Sequence, residues 1–463
     1  MPVTRIESSS GGEMPALWNE TSIEPYASCA VRNMRATSSA SVTSACTAMP
    51  PSASATAEPA SRFMSTMTTF APSDATRSAV ALPMPLPPPV MTTVRPVYLS
   101  TIDQPSVEIV EADATRIDMR PWYAQGAVRA ISNLPYSVGG EILRHLLTPP
   151  TPITEAVFML QKEVCLRLAA PCGSNEYGGL SVLVQQDWDV ELLRIVPPEV
   201  FIPRPKVDSG VIRLRPRDPA ALPVYDRAWF DRLVRMGFGQ RRKQLKNLLP
   251  EAPNGWAALT EMLGMPPTVR AEELSLPQWV QLARWYEGRQ TVDAGQKATE
   301  MFDVVDENNQ VVQQLPRGEV HSRGLRHRAV HIFVINPRGD IYLQRRSHLK
   351  DVAPLKWDSS AAGHLNVGES YADAAVRELH EELGIRVENT TLSAVIPAGE
   401  GTDNEFVELR IAHHPGPVKV QPEEIHSGTW FPPAVIDDWV KARPEDFAKG
   451  FVTCWKAWMS DAR

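Results

Sequence analysis

Three regions with different patterns of apolar and polar positions follow one another along the 463-residue chain. Residues 1–105 keep neither a helical nor a strand period, and closely spaced prolines interrupt both kinds of hydrogen-bonded structure. From residue 106 onward short apolar runs alternate with amphipathic segments, and residues 226–286 show helical spacing only. A polar stretch at 289–299 precedes a last region, 300–463, which again mixes both patterns.

These patterns predict an α/β fold with several domains. The predicted strands lie at 107–113, 128–132, 154–160, 180–184, 211–214, 329–335 and 340–344, and the predicted helices at 141–147, from Lys162 onward and at 370–383. We therefore expect a partial α/β sheet domain at 106–216 and a small helical domain at 217–288. A linker at 289–299 then leads to a second α/β domain at 300–463.

The first 105 residues are dominated by Ser, Thr, Ala, Pro and Met, and no lysine occurs before Lys162. Because large apolar side chains are scarce, burial cannot offset the entropy lost on ordering, and this low-complexity segment is predicted to be disordered. Two alternatives are translation of a wrong reading frame in a GC-rich gene and a targeting peptide. Early acidic residues, Glu7 and Glu13 among them, and the lack of an apolar core argue against the targeting peptide.

Composition narrows the class of protein further. Lys and Arg number 47 against 54 Asp and Glu, a net charge of −7, which excludes a uniformly basic nucleic-acid coat but leaves room for a local basic patch. No apolar run reaches the roughly eighteen residues that a membrane span requires, so no membrane partner is expected. The five cysteines form no CxxC pair, which predicts a reduced, cytoplasmic location without a disulfide framework.

A first chemical site is predicted at the tetrapeptide Asn133-Leu-Pro-Tyr136, which directly follows a predicted strand. Ligands of open α/β sheets bind at the carboxyl ends of the strands. The Asn133 side-chain oxygen and the carbonyl of Leu134 or Pro135 could accept hydrogens from an exocyclic amine, and the Tyr136 ring could stack on a flipped-out base. The alternative is a strand-terminating turn with a packed tyrosine.

Further motifs occur around this tetrapeptide. They are Glu111-Ala-Asp113-Ala, Met159-Leu-Gln-Lys-Glu163, Tyr177-Gly-Gly-Leu-Ser181, Phe201-Ile-Pro-Arg-Pro-Lys-Val-Asp-Ser209, Phe238-Gly-Gln-Arg-Arg-Lys243 and Arg270-Ala-Glu-Glu-Leu274. With these motifs, which occur in the family's order and cover about 106–286, the chain resembles the small-subunit ribosomal-RNA adenine N6,N6-dimethyltransferases. The resemblance implies a Rossmann-like sheet, S-adenosylmethionine as methyl donor, and an adenine of small-subunit rRNA or of a pre-ribosomal subunit as acceptor.

The same resemblance assigns roles to individual residues. Asp113 and Asn133 would bind the cofactor, and Asn133, Pro135 and Tyr136 would form the catalytic site. The basic residues that would face RNA are Lys206, Arg241, Arg242, Lys243 and Lys246. A solvated helix face is the alternative for this basic cluster.

One part of the family pattern is missing. In the family, a strand with a Gly-rich turn should precede Val107. One strand–helix unit after that turn, an acidic residue should bind the ribose hydroxyls of the cofactor. In this chain the low-complexity segment stands at that place. The sequence therefore predicts a truncated or wrongly joined methyltransferase whose cofactor binding is weak. An RNA-binding module without methyl transfer is the corresponding alternative.

A second chemical site is predicted between Gly363 and Ile385. Glu378, Glu381 and Glu382 stand at i, i+3 and i+4 and share one flank of the predicted helix. Crowded carboxylates repel one another unless a cation lies between them, and oxygen ligands suit Mg²⁺ or Mn²⁺. Glu369 precedes the helix and can join the cluster. A solvated acidic helix face is the alternative.

Two more residues of this segment have predicted roles. Arg377 can pair with a carboxylate of the cluster, and Gly384 is placed to end the helix. The predicted chemistry is attack of water on a diphosphate, assisted by a metal ion, with Glu381 and Glu382 as catalytic residues.

The segment matches the Nudix box, G-x5-E-x7-R-E-U-x-E-E-x-G-U, at every defined position, so residues 300–460 resemble Nudix hydrolases. The resemblance implies an α/β/α sandwich that hydrolyses a nucleoside diphosphate linked to another group. The flanking motifs resemble the branch that includes isopentenyl-diphosphate isomerase; they are His327-Arg-Ala-Val-His331, Leu343-Gln-Arg-Arg-Ser347, Lys356-Trp-Asp-Ser-Ser-Ala-Ala-Gly-His364 and Asn404-Glu405. That isomerase needs a cysteine where this chain has Ala362, so hydrolysis is favoured over isomerisation.

Overall fold

The computed structural model describes residues 107–289 and 299–461, together with the strands Ala30–Arg35 (β1) and Arg62–Met67 (β2). The two early strands lie inside the segment predicted to be disordered. Since β2 pairs with an edge of the following sheet, it satisfies backbone groups that would otherwise be unpaired. The other expectations for 1–105, and most of the expected linker, fall outside the described residues.

The first described part, here called the front module, contains one mixed sheet and six helices. Its other strands are Val107–Glu111 (β3), Val128–Asn133 (β4), Ile153–Gln161 (β5), Trp188–Val196 (β6) and Ser209–Pro216 (β7). Its helices are Gly139–Leu147 (α1), Lys162–Ala169 (α2), Gly179–Gln185 (α3), Arg227–Phe238 (α4), Trp256–Met262 (α5) and Leu276–Tyr286 (α6).

The strand order of the front sheet is β3-β1-β2-β4-β5-β7-β6. Strands β2, β4 and β5 run parallel, whereas β7 is antiparallel to both β5 and β6. Strand β1 is antiparallel to β2 and to β3, so β3 and β4 point the same way. The chain therefore leaves β3 and β4 at the same edge of the sheet, which is the edge where Asp113 and Asn133 lie.

One predicted strand of this module is wrong. Residues 180–184 form part of helix α3, not a strand, and the strand of this region is β6. A short apolar run has no distinguishing period, and here Ser181 favours the helix by accepting a hydrogen bond from Gly178 N (3.0 Å) and donating one to the Arg167 carbonyl (2.5 Å).

The second described part, here called the rear module, has a seven-stranded sheet between helices. Its strands are Met301–Val305 (β8), Val311–Pro316 (β9), His327–Ile335 (β10), Ile341–Arg346 (β11), Trp357–Asp358 (β12), Ala361–His364 (β13), Thr391–Ile396 (β14), Glu405–His413 (β15) and Ile425–Phe431 (β16). Its helices are Arg317–Ser322 (α7), Tyr371–Leu383 (α8), Pro433–Ala442 (α9) and Lys449–Asp461 (α10).

The rear sheet is covered on both faces, which confirms the predicted α/β/α sandwich. Its main path is β12-β11-β10-β15-β14, with β13 paired to β10 and β16 to β11, while β8 and β9 form a separate hairpin. Alternation along β10 sends Val330 and Ile332 toward α8 and Phe333 toward α9 and α10. Among the described residues, no helix is long and apolar enough to cross a membrane.

Candidate functional site

Helix α8 carries the predicted acidic cluster of the rear module. Ser370 caps its first turn by accepting a hydrogen bond from Asp373 N at 3.2 Å. Gly384 ends it in a left-handed conformation with φ 65°, which confirms the predicted C-cap. Ala375 and Leu379 bury the apolar face against the sheet. The acidic flank is thereby held at the edge of β13.

Arg377 links the carboxylates of this flank. Its guanidinium lies 2.8 Å from Glu369, 2.7 Å from Glu378 and 3.2 Å from Glu381, and it also donates to the carbonyl of His364 at 2.9 Å. Both oxygens of Glu369 are used, since one accepts from Arg377 Nε and the other from Arg377 Nη2 and the backbone N–H of Asn366. In this geometry Glu369 orients Arg377.

Glu378 and Glu382 are the buried members of the cluster, whereas Glu381 is exposed. Burial raises the pKa of both buried carboxyls. The negative charge of Glu381 raises the pKa of Glu378 further, and the charge of Glu378 raises that of Glu382. Lys350 Nζ lies 3.9 Å from Glu382 and also pairs with Glu424. A glycine is required beside them, because a Cβ at Gly363 would overlap Glu378 Oε1.

This donor set fits Mg²⁺ or Mn²⁺. Two buried carboxylates present hard oxygen ligands, and the charge that burial makes costly is the charge that a divalent cation neutralises. Glu378 and Glu382 would hold the ion, and Glu381, which directly precedes Glu382, is exposed to solvent. Gln344 Nε2, which donates to Glu382 at 3.1 Å, fixes that carboxylate.

A second group of possible ligands was missed by the sequence analysis. Ring nitrogens of His321, His327 and His364 all lie within 4.8 Å of one another. Glu405 lies 3.0 Å from His364 and 3.4 Å from His327. Burial, together with the neighbouring imidazoles, lowers the pKa of His321 to about 4, so its ring is neutral at pH 7. Neutral imidazoles beside a carboxylate are ligands that a transition metal accepts.

Sequence signals for these histidines are weak. His327 and His364 lie inside motifs that were recognised, but His321 lies on the six-residue helix α7, outside any motif. The Nε2 atom of His321 is buried without a hydrogen-bond partner, and Glu405 lies 3.4 Å from the Nε2 atom of His327. The fold alone brings the three rings together.

No thiol is present at the position where an isomerase would use one. Ala362 lies on β13, and its backbone N–H donates to Glu382 Oε2 at 3.3 Å. Cys454 is fully buried in the core on the α9 and α10 side of the sheet. Burial raises the pKa of that thiol well above its ordinary value.

In the front module, Asn133, Pro135 and Tyr136 lie together at the end of β4. Asn133 is half-buried, and the Pro135 carbonyl accepts a hydrogen bond from Val138 N at 3.3 Å. The hydroxyl of Tyr136 lies 2.6 Å from Ser209 Oγ, and 36% of the residue is exposed. This contact fixes the ring at the surface, where a base could stack on it.

Asp113 lies at the same sheet edge but not beside Asn133. Its carboxylate accepts hydrogen bonds from Thr115 N (2.9 Å) and Oγ1 (2.8 Å), and these bonds lower its pKa. Strands β1 and β2 separate β3 from β4, so these two strands lie three spacings, about 14 Å, apart. The sequence has no glycine between Gly12 and Gly126, so this stretch offers none for a Gly-rich cofactor turn.

The predicted RNA-facing residues are all exposed, on two separate segments. Arg241, Arg242 and Lys243 lie on a turn after α4, with Lys246 close behind, while Lys206 lies on the loop before β7. The expected helix at 241–243 is wrong, since α4 ends at Phe238 and Gly239 follows it. Arg241 donates to the Asn175 carbonyl, which ties this turn to the sheet domain.

Comparison with known proteins gives independent matches to both modules. The ribosomal RNA adenine dimethylase family matches residues 97–287, and the NUDIX domain family matches 325–451. Ribosomal RNA small subunit methyltransferase A of Xanthomonas oryzae is 42% identical over 178 residues, which cover 38% of this chain and 67% of that protein.

Two solved structures are each similar to part of the chain. DR0079 from Deinococcus radiodurans is 25% identical with a TM-score of 0.31, covering 35% of this chain and all of that one. A dimethyladenosine transferase from Plasmodium falciparum is 23% identical with a TM-score of 0.30, covering 35% of this chain and 68% of that one. On the family matches and the Xanthomonas relative, the chain belongs to the ribosomal RNA adenine dimethylase family and carries a NUDIX domain fused behind that part.

Proposed function

We propose that the rear module hydrolyses a nucleoside-diphosphate-type substrate with the help of Mg²⁺ or Mn²⁺. The observation that carries this proposal is the pair of buried carboxylates, Glu378 and Glu382, packed against Gly363. Charge buried in this way is stable only beside a compensating cation. Lys350 is shared with Glu424, and Arg377 is shared among three glutamates.

Each residue of the cluster has a separate role in this proposal. A bound divalent ion neutralises phosphate charge and lowers the pKa of water. Glu378 and Glu382 would hold the ion. Glu381, the carboxylate open to solvent, accepts the proton of the attacking water. Glu369 acts on the metal site indirectly. It accepts two hydrogen bonds from Arg377 and thereby orients this arginine beside the other carboxylates.

Hydrolysis of a dinucleoside polyphosphate or a sugar nucleotide, followed with Mg²⁺, with Mn²⁺ and with EDTA, tests this proposal. Glu382→Gln should lower kcat at least about 100-fold while leaving the unfolding curve nearly unchanged, because a ligand is lost but little volume. Glu388→Gln, the same substitution at an exposed position of the module, serves as control. Full activity of Glu382→Gln, or turnover in EDTA, would contradict the proposal.

For the front module we propose binding of structured small-subunit rRNA in the cytoplasm, without efficient methyl transfer. The exposed basic residues after α4 support the RNA contact, and the missing glycines argue against a complete cofactor site. Methyl transfer to an rRNA adenine is the second candidate function. It is favoured by the intact Asn133–Tyr136 segment at the carboxyl end of β4.

A further inference from the structure

A cleft of about 600 Å³ lies between the two modules. The front module contributes the end of β7 and the start of α4, including Arg217 and Arg227. The rear module contributes the residues after β11, the start of β16 and the end of α9. This cleft lies apart from the acidic cluster, because consecutive residues of β11 face opposite ways. Gln344 reaches Glu382, whereas Arg345 lines the cleft.

The charges that line the cleft are unbalanced toward positive. Five arginine and lysine side chains face three aspartates, although the whole chain carries a net charge of −7. Asp187 pairs with Arg227, and Asp446 pairs with Arg443 at 2.8 Å. The third aspartate, Asp218, accepts a hydrogen bond from the backbone N–H of Ala220 at 2.9 Å. The lining acids are therefore already engaged.

Two cations of the cleft have no acidic partner. Within 107–289 and 299–461, neither Arg345 nor Lys356 has a carboxylate within 4.0 Å, and both donate to backbone carbonyls, of Leu355 (3.0 Å) and Glu445 (2.6 Å). Arg345 is half-buried, so its charge is partly removed from water. The charge of Asp446 acts on Arg345 only from beyond contact distance. A partly desolvated guanidinium with no carboxylate in contact is costly, and an anion beside it would offset that cost.

A histidine on the same wall responds to this positive charge. His426 and His348 both line the cleft. The pKa of His426 is lowered to about 3, first by burial and then by the positive charges of Arg345, Arg227 and His348. No carboxylate acts on this ring strongly enough to reverse the effect. The potential at this wall is therefore one that repels protons and attracts anions.

We propose that the cleft between the modules binds a phosphate-type oxyanion, with Arg345 and Lys356 as its main contacts. A planar guanidinium presents paired N–H donors that suit phosphate oxygens, and Lys356 adds a second charge from the same wall. The anion could be free inorganic phosphate or diphosphate, or the phosphate group of a nucleotide. The proposal does not depend on hydrolysis by the rear module.

Calorimetric titration of the full chain in EDTA tests this site, because metal-dependent binding at the acidic cluster is then removed. Inorganic phosphate, diphosphate and AMP are titrated separately at constant ionic strength, which distinguishes the free anions from a nucleotide. At least one should bind saturably. Arg345→Gln should weaken that binding at least about tenfold, and Lys356→Gln should weaken it by a smaller factor.

Arg338→Gln is the matched control, since this arginine is exposed on a turn of the same module and lies outside the cleft. Its affinity for the anion should equal that of the wild type. Lys356→Gln keeps the test decisive if Arg345→Gln does not fold. The proposal is overturned by the absence of saturable binding to all three probes, or by equal affinity in the cleft variants and the control.

Discussion

The ring of Tyr123, in the front module, lies 4.5 Å centroid to centroid from the ring of Trp439 in the rear module. Trp357 and Phe431 surround the same tyrosine at 5.4 and 5.5 Å with nearly perpendicular rings. The preceding residue, Trp122, packs instead into the core of the front module. Two adjacent aromatic residues thus anchor one short segment in two different cores, which couples the modules mechanically.

Truncation of this anchor should destabilise the whole chain. Tyr123→Ala leaves a cavity among three aromatic side chains, so we expect a loss of about 3–5 kcal/mol in the free energy of unfolding. Urea unfolding followed by tryptophan fluorescence measures it. Because the Tyr123 hydroxyl is buried without a hydrogen-bond partner, Tyr123→Phe should match the wild type or exceed its stability. Equal stability of the Ala and Phe variants would show that the modules are not coupled here.

Hydrolysis should require the open space that Gly363 leaves beside the Glu378 carboxylate. A Cβ at Gly363 would overlap the Glu378 carboxylate, so Gly363→Ala should displace it and lower hydrolysis by one to two orders of magnitude. Gly399→Ala is the control, since its φ of −174° suits any residue and no atom lies near its added Cβ. Steady-state kinetics give the kcat of both variants for comparison with the wild type. Wild-type kcat in Gly363→Ala would mean that Glu378 is not needed where it lies.

Isomerisation of isopentenyl diphosphate should not occur. The reaction needs a group that moves a proton at carbon, and Ala362 offers none where the isomerase has its cysteine. Cys454 is buried in the opposite core and cannot replace it. Incubation with isopentenyl diphosphate and Mg²⁺, followed by product chromatography, should yield no dimethylallyl diphosphate. A clear dimethylallyl product would show that another residue of this site performs the proton transfer.

The sequence predicted the elements whose residues interact locally. The spacing of Glu378, Glu381 and Glu382 and the cap at Gly384 depend on a single helix, and the structure has them as expected. The helix α3 was mistaken for a strand because its short apolar run has no clear period. The grouping of His321 with His364 and the insertion of Tyr123 depend on contacts distant in sequence. Neither could be read from a local pattern.

The last prediction concerns the front module. The full chain should bind S-adenosylmethionine weakly or not at all, yet bind structured small-subunit rRNA in a salt-sensitive way. Two strands separate the strand ends that carry Asp113 and Asn133, and no glycine lies between Gly12 and Asp113 for the cofactor turn. The basic turn at Arg241 and Arg242 is exposed and needs no cofactor to contact phosphates. Calorimetry and filter binding at two salt concentrations measure the two affinities.

Arg241→Ala/Arg242→Ala should weaken RNA binding at least about tenfold. It should also reduce the slope of log affinity against log salt concentration by about two, because two phosphate contacts are lost. Arg323→Ala/Arg338→Ala removes the same charge from exposed positions of the rear module and should leave both quantities unchanged. Equal RNA affinity in the two double variants would remove the basic turn from the RNA surface. Micromolar binding of S-adenosylmethionine with methyl transfer to adenine would show that residues 1–105 complete the cofactor site.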